Sequence, residues 1–307
     1  MENTKNGFVL SAFADEAGSS LDSQIAALKR NNIRLIEIRG VDGESIGDIG
    51  PERAREIGRK LADNGIAVGS VGSPFGKQDI RADFAPHFEK FCRTLETARI
   101  LGTRHMRIFS FFMPLEAREA SPYIPYTEAA ENASEGQYDG FFDEVAERLS
   151  GFSKAAADAG IMLCHENEKG IYGDVPERCE RIHKTFPEIK AIFDPANYIQ
   201  CGVDTLRAWS IIKPYVEYLH IKDCRPDGTV VASGFGEGNI AAILREYEGE
   251  MLTVEPHLAV FKGLEALEQS GDTSVIDGAM FPSSDAAFDF AVSSLRKILT
   301  GINAREV

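Results

Sequence analysis

Basic residues are in short supply. The 307-residue chain carries 33 lysines and arginines against 48 aspartates and glutamates, a formal net charge of −15. A nucleic-acid backbone or an anionic membrane calls for a basic surface, so neither is an expected partner. The acid excess reads instead as a solvated surface. Cysteine is scarce too: Cys92, Cys164, Cys179, Cys201 and Cys224 include no C-x-x-C pair. An odd count without that spacing argues against a disulfide framework or a cysteine-rich zinc site, and fits a reducing compartment. No apolar run approaches the length of a membrane span, and Met1-Glu2-Asn3-Thr4-Lys5-Asn6-Gly7 lacks the apolar core of a signal peptide. A soluble, cytoplasmic protein is expected.

What is present is enough chain and apolar content for a large core. Hydrophobic residues make up 43%, ordinary for a globular protein, and one α/β domain over residues 1–307 is expected. Apolar runs at 8–13, 33–38, 66–71, 103–109, 161–164, 189–193, 216–221 and 251–254 read as strands. Helical periodicity falls between them at 21–30, 51–64, 83–101, 138–159, 176–185, 204–212 and 239–247, and a last helix at 285–299. Pro51 suits a first turn, and Gly65, Gly102 and Gly160 stand where helices stop. Such alternation implies parallel strands joined by right-handed crossovers. Eight repeats make a (β/α)8 TIM barrel. A doubly wound sheet is the rival, but no glycine-rich dinucleotide fingerprint follows the first strand.

Two long loops break the rhythm. Residues 109–136 are rich in aromatics (Phe109, Phe111, Phe112, Tyr123, Tyr126) and are expected to form a lid and a homodimer contact. Residues 256–282 are expected to cover the mouth or bridge subunits.

Four strands end in chemistry: His165-Glu166-Asn167, Asp194-Pro195-Ala196-Asn197, His220-Ile221-Lys222-Asp223 and Val254-Glu255-Pro256-His257. Positions 166, 194, 220 and 255 are each about one β/α unit apart, which assigns them to the fifth to eighth strands. The carboxyl ends of barrel strands converge on one mouth, where active sites sit. Three carboxylates and one imidazole meeting there repel unless a cation joins them, and oxygen-rich ligation with a single histidine suits a divalent metal. Any one of these residues also fits a helix cap or a partner for a nearby lysine.

The ordered set Phe13-Ala14-Asp15-Glu16, Ser73-Pro74-Phe75-Gly76-Lys77, Arg107-Ile108-Phe109-Ser110, Glu166-Asn167, Asp194 with Asn197, His220-Ile221-Lys222-Asp223, Gly234-Phe235-Gly236-Glu237-Gly238 and Glu255-Pro256-His257 resembles the sugar phosphate isomerase/epimerase family, of the xylose isomerase-like barrel superfamily. The resemblance runs from the first strand to the eighth. It implies one divalent ion (Mn²⁺, Mg²⁺, Co²⁺ or Zn²⁺) held by Glu166, Asp194, His220 and Glu255. It also implies a small-molecule sugar or sugar phosphate as substrate.

Isomerisation or epimerisation beside a carbonyl needs an acidified C–H, a stabilised enediolate and a group that moves the proton. Glu166 and Glu255 are expected to bind the metal through one oxygen and carry the proton on the other, as the resemblance suggests. Asp194 and His220 are expected to be ligands only, His220 as a neutral imidazole with its second nitrogen on an acceptor. Asn197, Lys222 and Asp223 are candidates for substrate hydroxyls or the carbonyl. Arg39, Arg107 and Lys77 are candidates for an acidic substrate group, with pairing to a mouth carboxylate the alternative for either arginine. The Gly234–Gly238 loop is a candidate phosphate platform or a plain turn. His165 and His257 read as packing residues, with His257 open as an extra ligand, and Glu168 is an alternative to Glu166. A metal-dependent dehydratase of cyclic polyols or keto acids, and a non-catalytic sugar-binding barrel, remain rival readings. A multi-zinc nuclease is disfavoured by six histidines and the acidic charge.

Overall fold

Short polar side chains start the helices and glycines stop them. Ser20 accepts the Ser23 amide to open α1 (Leu21–Arg30), and Asp83 accepts that of Ala85 to open α3 (Phe84–Leu101). Between them Pro51 occupies the first turn of α2 (Pro51–Asp63). Gly102 and Gly160 take left-handed conformations, at φ 79° and 70°, to end α3 and α4 (Phe142–Ala159). The remaining long helices are α5 (Pro176–Thr185), α6 (Thr205–Ile212), α7 (Ile240–Glu246) and α8 (Ser284–Gly301). These bounds come from a computed structural model that describes residues 7–119, 138–259 and 281–307.

Eight strands alternate with the helices: β1 (Val9–Ala12), β2 (Leu35–Ile38), β3 (Ala67–Val71), β4 (His105–Ile108), β5 (Met162–Glu166), β6 (Lys190–Phe193), β7 (Val216–Ile221) and β8 (Met251–Val254). They pair in parallel, in the order β1-β8-β7-β6-β5-β4-β3-β2. The result is a nearly closed TIM barrel, as the alternation predicts. The seam lies between β1 and β2, which sit side by side without a ladder among the described residues. Side chains tie it at the mouth, where Arg39 after β2 reaches Asp15 and Glu16 after β1. At the base, the Phe8 amide donates to the Arg305 carbonyl and the Val307 amide to the Phe8 carbonyl.

Some local structure departs from the sequence reading. β5 continues through His165 and Glu166, paired with Ala191 and Ile192 of β6. A buried glutamate is tolerated in a strand here because charged partners surround it. Two short hairpins, Gly40–Val41 with Glu44–Ser45 and Asp223–Cys224 with Val230–Val231, are too brief to leave a periodic signal. A short helix, Pro195–Gln200, follows Asp194 directly, and Asp194 caps it. All five cysteines are free thiols. Among the described residues no helix is long and apolar enough to cross a membrane.

Most of the 109–136 and 256–282 stretches, and with them the lid and homodimer expectations, lies outside the described residues. Phe109 and Phe111 are described, and both are fully buried. Phe111 joins Phe84, Phe88, Phe91 and Phe152 in an aromatic cluster between α3, α4 and the start of this loop. Phe152 is its hub, with its ring centroid 4.1 Å from that of Phe91. Truncating a buried aromatic loses both transfer energy and packing. Phe152→Ala is predicted to cost about 3–5 kcal/mol, read from urea unfolding of the two proteins.

Candidate metal centre

Four neighbouring strands deliver four buried ligand atoms. Glu166 is the last residue of β5, Asp194 follows β6, His220 lies in β7 and Glu255 follows β8. One donor atom from each lies within 4.8 Å of all the others. Two asparagines hold this arrangement. Asn167 donates to the Asp194 carbonyl at 3.0 Å and accepts the Asp194 amide at 3.1 Å, which locks the ends of β5 and β6 together. Asn197 donates to the Asn167 carbonyl at 2.8 Å and to Glu166 Oε1 at 3.4 Å.

His220 is the centre of the group. Its Nδ1 stands 2.9 Å from Glu166 Oε1 and 3.3 Å from Glu255 Oε2. Its Nε2 stands 3.1 Å from Glu37 Oε2, on the far side of the ring. Glu37 in turn accepts the Tyr218 hydroxyl at 2.9 Å, and Tyr218 shares a hydrogen bond with Ser70. This is the acceptor expected behind a ligating imidazole, and it fixes which nitrogen faces the cluster. Burial works to lower the basicity of His220, but Glu166, Glu37 and Glu255 outweigh it and hold the imidazole well above its ordinary pKa.

The carboxylates are held from behind by cations. Arg107 donates through Nη1 to Glu166 Oε2 at 2.9 Å and sits 3.7 Å from Glu255 Oε1. Its other nitrogens are anchored on the Ser73 and Gly72 carbonyls. Arg39 reaches Glu255 Oε1 at 3.3 Å as well as Asp15 and Glu16. Lys222 Nζ lies 2.8 Å from Asp194 Oδ2 and 3.4 Å from Glu255 Oε2. Burial pushes Asp194 up to about 7 despite that ammonium, aided by Glu255 and Glu166. Burial also works to raise Glu255, but Lys222, His257 and His220 pull it well below the carboxylate range.

The remaining sequence candidates are spread around this core. Lys77 pairs with Glu168 at 2.8 Å and lies over the Phe109 ring. Burial opposes ionisation of Glu168, yet Lys77, Lys222 and Lys169 bring it down to about 2. Glu168 is thus engaged with Lys77, and Glu166 is the residue in the four-donor group. Asp223 is committed to the chain itself. Its carboxylate accepts the amides of Cys224, Gly234, Gly236 and Gly238 at 2.8–3.1 Å. Of the two readings of this loop, phosphate platform or plain turn, the first meets amides already filled by an internal carboxylate. A Cβ at Gly236 or Gly238 would fall 2.4 or 2.7 Å from Asp223 Oδ1, which is why this loop needs glycine there. His165 turns away, to Ser110 Oγ. His257, at φ 44°, forms a second group with Glu16 and Glu255.

Sequence reasoning gave no role to Glu37, Glu16, Asp15, Asn167 or Tyr218. Glu37 had a signal: it is the acid inside the apolar run 33–38, and a strand buries such a residue only for a partner.

The donor set fits a divalent ion. Three carboxylates and one imidazole nitrogen converge there; without a metal, burial and the neighbouring carboxylates favour a proton on Asp194, and Glu166, Glu37 and Glu255 favour one on His220. A metal displaces those protons, so raising the pH favours its uptake. Calorimetry in buffers of different ionisation enthalpy is predicted to record proton release on titration with Mn²⁺ or Zn²⁺ at pH 6.5. Affinity should rise roughly tenfold per pH unit for each proton displaced. Glu37→Gln, which weakens the hold on His220, is predicted to lower metal affinity by about 10–100-fold in the same assay.

No curated protein matches this chain at the sequence level. Solved structures match its fold over nearly its whole length. An L-ribulose 3-epimerase superposes with a TM-score of 0.68 at 18% identity, covering 97% of this chain and 96% of its own. The D-psicose 3-epimerase of Clostridium cellulolyticum H10, solved with D-tagatose, gives 0.63 at 14%, covering 95% and 99%. A xylose isomerase-like barrel from Mycobacterium smegmatis in complex with magnesium gives 0.62 at 14%, covering 99% and 100%. The model of the xylose isomerase-like TIM barrel family matches residues 25–269, and with the barrel and its buried Glu/Asp/His/Glu group on view, the chain belongs to that family.

Proposed function

We propose that this protein is a metal-dependent isomerase or epimerase of a sugar, keto-sugar or sugar phosphate. The observation that carries the reading is the pair of glutamates flanking His220 Nδ1, Glu166 at 2.9 Å and Glu255 at 3.3 Å. The likeness of the fold to two sugar 3-epimerases supports it. A divalent cation on Glu166, Asp194, His220 and Glu255 would supply Lewis acidity to the carbonyl and neighbouring hydroxyl of a bound sugar, making the intervening C–H easier to deprotonate.

The protein's own groups divide the remaining work. Each glutamate turns one oxygen toward His220 and the other toward arginine: Glu166 Oε2 toward Arg107, and Glu255 Oε1 toward Arg39 and Arg107. Two carboxylates held apart in this way can take a proton on one face of a carbon and return one on the other, as epimerisation requires. The arginines fix the direction in which each carboxylate points. In this reading Lys222, beside Asp194 and Glu255, donates to a substrate oxygen, and Asn197 holds a hydroxyl.

The test is exchange of the proton next to the carbonyl in D2O, followed by NMR over a panel of ketoses and their phosphates with metal supplied. Wild-type protein should exchange at least one of them. Glu166→Gln and Glu255→Gln should each slow that exchange by about 10²–10⁴-fold. Full exchange in either variant would remove that glutamate from the proton path.

A further inference from the structure

We propose that the mouth takes an uncharged polyhydroxy carbonyl compound, a free sugar, and turns away phosphate esters and carboxylates; this rests on the sugar-isomerase reading above. Two independent features argue for it.

The first is the Gly234–Gly238 loop. A βα loop after the seventh strand, leading into a helix, is where barrels commonly seat a phosphate on backbone amides. Here the Asp223 carboxylate already occupies the amides of Gly234, Gly236 and Gly238, with that of Cys224 as a fourth. Gly236 and Gly238 lie so close to that carboxylate that a phosphate cannot share the nest without expelling Asp223. Expulsion would strand a carboxylate that is almost wholly buried.

The second is charge. The mouth network contains seven carboxylates: Asp15, Glu16, Glu37, Glu166, Glu168, Asp194 and Glu255. Against them stand five cations, Arg39, Lys77, Arg107 and Lys222 in direct pairs and Lys169 beside Glu168. The formal surplus is two negative charges, which one dication cancels. With the metal bound these residues sum to neutral, and the Asp223 carboxylate beside them adds a further negative charge, so no positive charge is left over for a second anion. By sequence, the two internal segments outside the described residues carry no basic excess. Residues 120–137 contain Glu128, Glu131 and Glu135 and no lysine or arginine, and 260–280 contain Lys262 against Glu265, Glu268, Asp272 and Asp277. An anionic substrate that used Lys77 or Lys222 would have to draw it off its carboxylate and leave that carboxylate buried without its partner, and Lys169 already offsets Glu168. A hydroxyl makes no such demand: it donates to a carboxylate and accepts from an ammonium while the pair stays closed.

The experiment is equilibrium binding to magnesium-loaded protein, by saturation-transfer NMR, of matched pairs: D-fructose with D-fructose 6-phosphate, and D-ribulose with D-ribulose 5-phosphate. The free ketose of at least one pair should bind roughly tenfold or more tightly than its phosphate. In Glu168→Gln, which releases Lys77, the gap should narrow through tighter binding of the ester. Equal or tighter binding of the phosphates by the wild type would overturn the proposal, and so would failure of both members of both pairs to bind. Proton exchange on the same samples separates the two claims. Exchange confined to a tightly bound phosphate would uphold the isomerase and sink the free-sugar specificity. Tight binding of the ketose with no exchange on any sugar would uphold the specificity and sink the isomerase.

Discussion

Buried carboxylates stay ionised only beside cations, and the open end of this barrel is organised around that constraint. Glu166, Asp194 and Glu255 have almost no exposure, and each is met by an arginine, a lysine or His220. Arg107 reaches two of them from one guanidinium, itself fixed on backbone carbonyls. Arg39 links another to the acids after β1 and so also ties the seam at which the barrel fails to close. The same ion pairs therefore set the geometry of the site and complete the scaffold around it. Removing one partner leaves an uncompensated charge in a dry place, so the network is held together as a unit.

The scaffold supplies convergence and the local sequence supplies aim. Parallel strands bring their carboxyl ends to one mouth, but they do not orient a side chain there. Orientation comes from short contacts that each strand end carries with it. The Asn167–Asp194 exchange joins β5 to β6, the Asp194 cap starts the helix that presents Asn197, and Glu37 of β2 reaches the back of His220 in β7. Asp223 plays the same part for the loop after β7, gathering four amides onto one carboxylate.

Much of this was legible in the sequence. The eight apolar runs gave the strands because a barrel strand is buried on both faces and reads as a continuous run. The four chemical residues stood out because they close such runs. What stayed hidden is what depends on approach across the barrel. Glu37 and His220 are far apart in sequence, and nothing local to either announces the bond between them. Asp223 looked like a substrate contact because it follows His220 and Lys222 at the strand end, and only the return of the glycine loop shows where its oxygens go. Arg39 and Arg107 could be read as anion receptors or as partners of mouth carboxylates. The structure brings both onto Glu255, which no spacing rule anticipates.

The central claim is that Glu166, Asp194, His220 and Glu255 hold one divalent ion between them. The most direct measurement is a crystal structure of protein loaded with Mn²⁺, with anomalous diffraction collected at a wavelength where manganese scatters. The account predicts one strong anomalous peak among these four side chains, bound to His220 through Nδ1 while Nε2 stays on Glu37. A peak elsewhere, or none with Lys222 still closed on Asp194, would contradict it.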